Sequence, residues 1–156
     1  MVEYRAVVEW AGEGDFAANR YSRAHVWRFD GGAEVPASAS PQVVPVPLSN
    51  PAGVDPEEAL IASASSCHML WFLHLARDAG LVVTRYRDEA VGTMGKDDRG
   101  RTAFTRITLR PQIDFAGDAP DAQALDRLHY VAHEACFIAN TLRCEIVVEG
   151  NSAGLA

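Results

Sequence analysis

The period of hydrophobic and polar positions changes several times along this chain, and each change predicts an element. Residues 2–10 partly alternate and predict a strand, which Gly12 and Gly14 interrupt. Ser22 to Phe29 alternates more cleanly, with Arg23, His25, Trp27 and Phe29 on one face, and Asp30-Gly-Gly then predicts a hairpin turn. Over residues 36–54, Pro36, Pro41, Pro45, Pro47 and Pro51 are interleaved with Val43, Val44 and Val46. Proline fixes φ and removes a donor, so no helix survives that spacing and an extended loop is expected. A loop of this length in a compact domain is usually functional or packed over a site.

A central helix is predicted over residues 55–80. Asp55 suits the N-cap, Pro56 the first helical position, Glu58 completes a capping box and Gly80 ends the helix. Residues 81–86 and 88–94 read as strand, 96–100 as a polar turn, and Thr102 to Phe115 alternates strongly enough to predict one long strand. Pro120 to Ala135 has helical spacing, a turn or short helix follows Cys136, and Cys144-Glu-Ile-Val-Val-Glu predicts a closing strand. The last six residues are expected to fray. The order gives an α+β fold. It is read as a single domain over 1–156: N-terminal strands and proline loop over 1–50, the central helix over 55–80, and strands, second helix and closing strand over 81–150.

Composition narrows the function classes. A length of 156 residues suffices for a real core, and 48% hydrophobic with 22% charged residues is ordinary for a soluble globular chain. The net charge of −7, with 14 scattered basic residues, argues against nucleic acid or an anionic membrane as partner. Ala59 to Ala76 carries no Asp, Glu, Lys or Arg and approaches the length of a membrane span. Its Ser63, Ser65, Ser66, His68 and His74, together with the cap at Asp55, favour a buried core helix instead. An odd count of three cysteines and an N-terminus without a signal pattern point to a reducing cytoplasm, where a disulfide is transient and catalytic rather than structural.

Two of those cysteines carry the candidate chemistry. Cys67 lies in the central helix among Ser63, Ser65, Ser66 and His68; a small buried hydrophobe is the alternative reading. At about 100° per residue, Leu125, Leu128, His129, Ala132 and Cys136 share one face of the second helix, so Cys136 points inward. Free N–H groups of a turn beginning there would favour a thiolate. His129, His133 and Cys136 also have i, i+4, i+7 spacing, a possible metal set with Cys67 or His68, but no cysteine pair has chelating spacing and no metal or other cofactor is expected. Cys144 reads as a strand residue without a role. A buried thiolate needs a cation; Lys96 is the only lysine, which leaves Arg20 and Arg23 as candidates. Glu57 precedes Cys67 by ten residues, a rise of about 15 Å in one helix, so it reaches a reactive cysteine only across two antiparallel helices of a dimer.

The chain resembles the OsmC/Ohr family of cysteine-dependent peroxidases. The resemblance rests on Asp55-Pro-Glu-Glu-Ala-Leu through Ser66-Cys-His-Met-Leu, and on His133-Glu-Ala-Cys-Phe-Ile-Ala-Asn followed by Cys144-Glu-Ile-Val-Val. Tyr21-Ser-Arg-Ala-His-Val-Trp-Arg-Phe-Asp-Gly-Gly is similar to the OsmC branch. The resemblance implies antiparallel sheets around a long central buried helix in an intertwined homodimer with two interface sites. It implies Cys67 as the peroxidatic cysteine, Cys136 as the resolving one, Glu57 as the acidic residue and an arginine beside the thiolate, Arg23 in one register and Arg20 in another. The implied reaction reduces organic hydroperoxides in stress defence, with an external dithiol as reductant and an apolar wall of Met69, Leu70, Trp71 and Phe72. A small-molecule binding or redox-sensing protein on the same scaffold is the other class.

Overall fold

The computed structural model describes residues 2–149, so the expected fraying of the last six lies outside the described residues. The chain divides into two compact units between Leu60 and Ile61, within the first turns of the long helix.

In the first unit, β1 (Ala6–Glu9), β4 (His25–Phe29) and β5 (Glu34–Ala37) form an antiparallel sheet in the order β1-β4-β5. The Asp30-Gly-Gly turn joins β4 to β5 as predicted, with Gly32 at φ +85°. Two features exceed the sequence reading. A short ribbon of β2 (Gly14–Asp15) and β3 (Arg20–Tyr21) lies where no strand was predicted. Pro36, assigned to the loop, sits in β5, an edge strand, where a missing N–H is tolerated. The rest of the proline segment is turns and irregular backbone up to the bridge of Val54 with Ala37.

Helix α1 (Pro56–Asp78) begins with the capping box: Glu58 N–H donates to Asp55 Oδ1 at 2.8 Å, and Asp55 N–H to Glu58 Oε2 at 3.3 Å. It ends at Gly80 (φ +78°), where Gly80 N–H and Leu81 N–H close on the Arg77 and Ala76 carbonyls. Within the chain only the stripe Ala64, His68, Phe72 and Ala76 is buried; the four-residue spacing gives one narrow face.

In the second unit, β6 (Val82–Asp88) pairs with β9 (Pro111–Ala116), and β7 (Val91–Lys96) with β8 (Thr102–Leu109). The single strand predicted over 102–115 is therefore two. Alternation survives the break, but Pro111 has no N–H and Arg110 N–H donates to Asp88 Oδ1 at 2.6 Å, so the chain changes partner there. Helix α2 (Ala122–Ala135), capped by Asp121, and the one-turn α3 (Phe137–Thr141) lead to β10 (Glu145–Val148). This crossover lays β10 parallel to β8, the one parallel strand pair among the described residues in sheets otherwise antiparallel as expected.

Two apolar clusters hold this unit together. Phe72 and Ala76 of α1 pack with Ile113 of β9 and with Leu125 and Ala132 of α2. Nearer the start of α1, Ala64 packs with Ile107 and Leu109 of β8, with Ile61, Phe104, Ile138 and Cys144 around them. Gly92 of β7 passes so close to α1 that a Cβ there would meet the Phe104 ring and come within 2.7 Å of Ile61 Cδ1.

Candidate active site around Cys67 and Cys136

Cys67 is half-buried on α1 and lines a pocket of about 440 Å³. The side chains of α1 that share the pocket are Ser63, Ser66, Leu70, Trp71 and His74, which is the face predicted by turning about 100° per residue from Cys67. Phe137 and Ile138 of α3 form the facing wall. Ser66 Oγ donates to the Ser63 carbonyl at 3.3 Å.

That geometry corrects the expected surroundings of the thiol. Leu70 and Trp71 line the pocket, but Phe72 is fully buried in the apolar cluster and Met69 is not among the lining residues. At 100° per residue, Met69 and Phe72 turn away from Cys67. Ser65 and His68 also leave the thiol: Ser65 Oγ donates to Asp88 Oδ2 at 2.5 Å, and His68 turns into the core. His74, Phe137 and Ile138 were not predicted as site residues. The i, i+7 spacing of Cys67 and His74 was the available signal for the first; the two on α3 required the tertiary structure.

Cys136 is buried where α2 hands over to α3. Its backbone is extended (φ −70°, ψ 112°), so it leaves the α2 helix and becomes the N-cap of α3, where Sγ accepts from Ala139 N–H at 3.4 Å. The Cys67 thiol is near enough to act on it. Burial is the largest effect on the Cys136 thiol, and with the neighbouring Cys67 it pushes the pKa up to about 11, against the opposing pull of the Ala139 and Ile138 N–H groups. The expectation that helix N–H groups would give a thiolate here is thus outweighed by desolvation. All three cysteines are free; Cys144 packs half-buried just before β10, its thiol raised by burial.

His68 and His129 form a buried pair beside this site. Their rings stack at 5.4 Å with 11° between planes, and His68 Nε2 meets His129 Nδ1 at 3.1 Å. Phe72 stacks on the other ring of the pair, 4.6 Å from His129. Desolvation, then the charges of His129 and His133, lowers His68 to about 4; desolvation also lowers His129 to about 4 against the attraction of Asp126 and Asp88. Among the described residues, His68 Nδ1, His129 Nε2 and the Tyr86 hydroxyl are buried without a partner. His129 is thus turned to His68 and Cys136 to α3, and among the described residues no three His, Cys, Asp or Glu side chains gather as a metal set.

The remaining candidates lie in the first unit. Arg20 pairs with Asp15 at 3.2 Å. Arg23 stands over the Tyr21 ring, 3.6 Å from its centre, and donates to Asn19 Oδ1 at 2.6 Å and to the Tyr21 carbonyl at 2.5 Å, with no ion pair among the described residues. Glu57 occupies the first turn of α1. The structure brings the two thiols of the second unit together; Glu57, Arg20 and Arg23 belong to the first.

The family model for OsmC-like protein matches residues 49–150. An OsmC-like protein of unknown function from Vibrio cholerae is 51% identical, with a TM-score of 0.93 over 96% of this chain and 99% of its own. An organic hydroperoxide resistance protein from Elizabethkingia anophelis, solved with thiocyanate bound, is 17% identical with a TM-score of 0.66 over 94% of each chain. One from Legionella pneumophila is 15% identical with a TM-score of 0.66, over 95% of this chain and 96% of its own. These last two share the fold. No curated protein matches the chain.

Proposed function

The chain belongs to the OsmC-like protein family, and we propose that it is a thiol-dependent peroxidase that reduces organic hydroperoxides in stress defence. The observation that carries this reading is a free thiol of α1, Cys67, at the wall of a mostly apolar pocket, with a second free thiol, Cys136 of the α2–α3 junction, buried beside it. Cys67 lines the pocket whereas Cys136 is buried behind it, which gives the first attack to Cys67 and the second to Cys136.

The Cys67 thiolate attacks the distal oxygen of the hydroperoxide, the O–O bond breaks, and the alkoxide leaves as alcohol after taking a proton. Cys136 then displaces hydroxide from the Cys67 sulfenic acid; the disulfide forms and the Cys136 proton leaves in water. An external dithiol reduces the disulfide by exchange, so the net reaction is hydroperoxide plus dithiol giving alcohol, water and the dithiol's disulfide. Leu70, Trp71, Phe137 and Ile138 offer apolar surface to an organic substituent that hydrogen peroxide lacks.

The active form is a cytoplasmic homodimer. α1 is long and apolar enough to cross a membrane, yet only 22% of its apolar window is buried within the chain. A second copy packed on the exposed sides would bury that surface and bring a Glu57 within reach of the other chain's Cys67. Arg23, stacked on an aromatic ring and without an ion pair among the described residues, is the preferred cation for the thiolate, with Arg20 second.

Thiol titration after one equivalent of tert-butyl hydroperoxide tests the reading. Three free thiols should fall to one, with a Cys67–Cys136 disulfide by peptide mapping. Cys67→Ser should consume no peroxide, whereas Cys136→Ser should stop after a single oxidation. Full turnover by Cys67→Ser, or three thiols surviving in the wild type, would leave a binding or sensing role on this scaffold.

A further inference from the structure

Cys136 has two positions at once: its thiol faces Cys67, and the same sulfur caps α3. Helix α3 has five residues, held from outside by Ile138 against the Ala64 cluster and by Asn140 Nδ2 donating to the Glu134 carbonyl at 3.0 Å. A helix leaves its first N–H groups without internal partners. Here Asn140 N–H reaches the Cys136 carbonyl at 3.0 Å, while the Ala139 and Ile138 N–H groups turn to Cys136 Sγ. Further along, Leu142 N–H donates to the Ile138 carbonyl and Thr141 Oγ1 to that of Phe137. The sulfur is therefore the one side-chain acceptor at the helix start among the described residues. The side chains that α3 carries next to that cap, Phe137 and Ile138, are one wall of the pocket, and the Phe137 ring meets Trp71 edge-on at 5.6 Å.

We propose that α3 is a redox-sensitive cap, in which linking Cys136 to Cys67 withdraws the sulfur from the helix start, loosens α3 and opens the pocket wall it carries. A disulfide holds its sulfurs about 2.05 Å apart, far closer than two thiols in contact, so forming it draws Cys136 Sγ and Cys67 Sγ together. The bonded sulfur loses the freedom to turn back to Ala139. With Phe137 and Ile138 released, the alcohol leaves and the disulfide becomes accessible to an incoming thiolate, whose attack on one sulfur restores the other as a thiolate and so restores the cap. In the reduced state the wall stays closed around the substrate. The device rests on the reading of Cys67 and Cys136 as a redox pair, but not on hydroperoxide as the oxidant.

Amide hydrogen exchange at Ile138, Ala139 and Asn140 tests it in the full chain, reduced with dithiothreitol or oxidised with diamide. Diamide takes two electrons and two protons from the dithiol and becomes the hydrazine. The disulfide is confirmed by a two-proton mass loss and peptide mapping. Loss of an N-cap predicts roughly three- to ten-fold faster exchange in the oxidised protein. Reduced Cys136→Ser, which keeps a capping oxygen, should match reduced wild type, and reduced Cys136→Ala should match the oxidised protein. A mapped disulfide with unchanged exchange at these amides overturns the cap, as does failure of diamide to link the pair. Faster exchange with diamide but no oxidation by tert-butyl hydroperoxide would uphold the cap and remove the peroxidase reading.

Discussion

Acidification should unfold this protein through its buried imidazole pair before its carboxylates titrate. His68 and His129 are 1% and 4% exposed, and each is lowered from 6.5 to about 4. A folded-state value below the unfolded one means that the unfolded chain binds more protons in between. Stability is therefore full above about pH 6.5, falls as pH drops towards 4, and levels off below it. The shift of 2.5 units is about 3 kcal/mol per ring at full protonation, of which about 2 kcal/mol is lost by pH 5. Two rings lose about 4 kcal/mol, a large part of a typical domain stability of about 5–15 kcal/mol. Asp78 and Asp97, lowered chiefly by Arg77 and by the Arg101 backbone N–H respectively, lose their contribution only below the ordinary carboxylate range, outside this window. Urea unfolding at pH 7.5, 6.5, 5.5 and 5.0, at one protomer concentration, should show the midpoint dropping with an unchanged slope. The double variant His68→Leu/His129→Phe should flatten the profile. A wild-type midpoint constant to pH 5, or a drop that persists in the double variant, refutes the assignment to this pair.

Other expected outcomes follow from single contacts. Asp55→Ala removes the capping box and should cost about 1 kcal/mol in urea unfolding, with Asp55→Asn recovering most of it. Tyr86→Phe should be neutral or stabilising, because the hydroxyl is buried without a partner among the described residues and burial already raises its pKa. Gly92→Ala should lose about 1–3 kcal/mol, since the new methyl group meets Ile61 and Phe104. On the proposed peroxidase activity, Trp71→Ala should raise KM for tert-butyl hydroperoxide roughly ten-fold while leaving hydrogen peroxide consumption nearly unchanged, because only an organic substituent would use that wall.

Local chemistry was legible in the sequence wherever one backbone segment determines it. Asp55 and Glu58 named both hydrogen bonds of the capping box three residues apart, and Gly80 named the end of α1. The face of α2 that carries Leu125, His129 and Ala132 inward was likewise fixed by helical period. Periodicity failed where two segments share a period but differ in partner. Thr102 to Phe115 reads as one alternating run, yet at Pro111 the chain changes partner, with the Asp88 carboxylate taking Arg110 N–H, so β8 and β9 belong to different sheets.

The thiols show the same division more sharply. Helical spacing placed Cys136 inward, and the turn expected to begin there is α3, with Cys136 as its N-cap. The N–H groups of that turn were expected to acidify the thiol; buried beside a second thiol, it is raised despite them. Desolvation depends on what packs around the sulfur, and the thiol nearest to it, Cys67 of α1, comes from a distant part of the sequence. The neighbours of Cys67 in sequence were misleading for a related reason. Ser65 and His68 flank it by number, but a helix turns them to Asp88 and His129, and the pocket is completed by Phe137 and Ile138, seventy positions away. Polar composition around a cysteine therefore says less about its reactivity than the helix face it occupies. On that face Cys67 has a pocket and a second sulfur, which is what a thiol needs in order to be oxidised and then resolved.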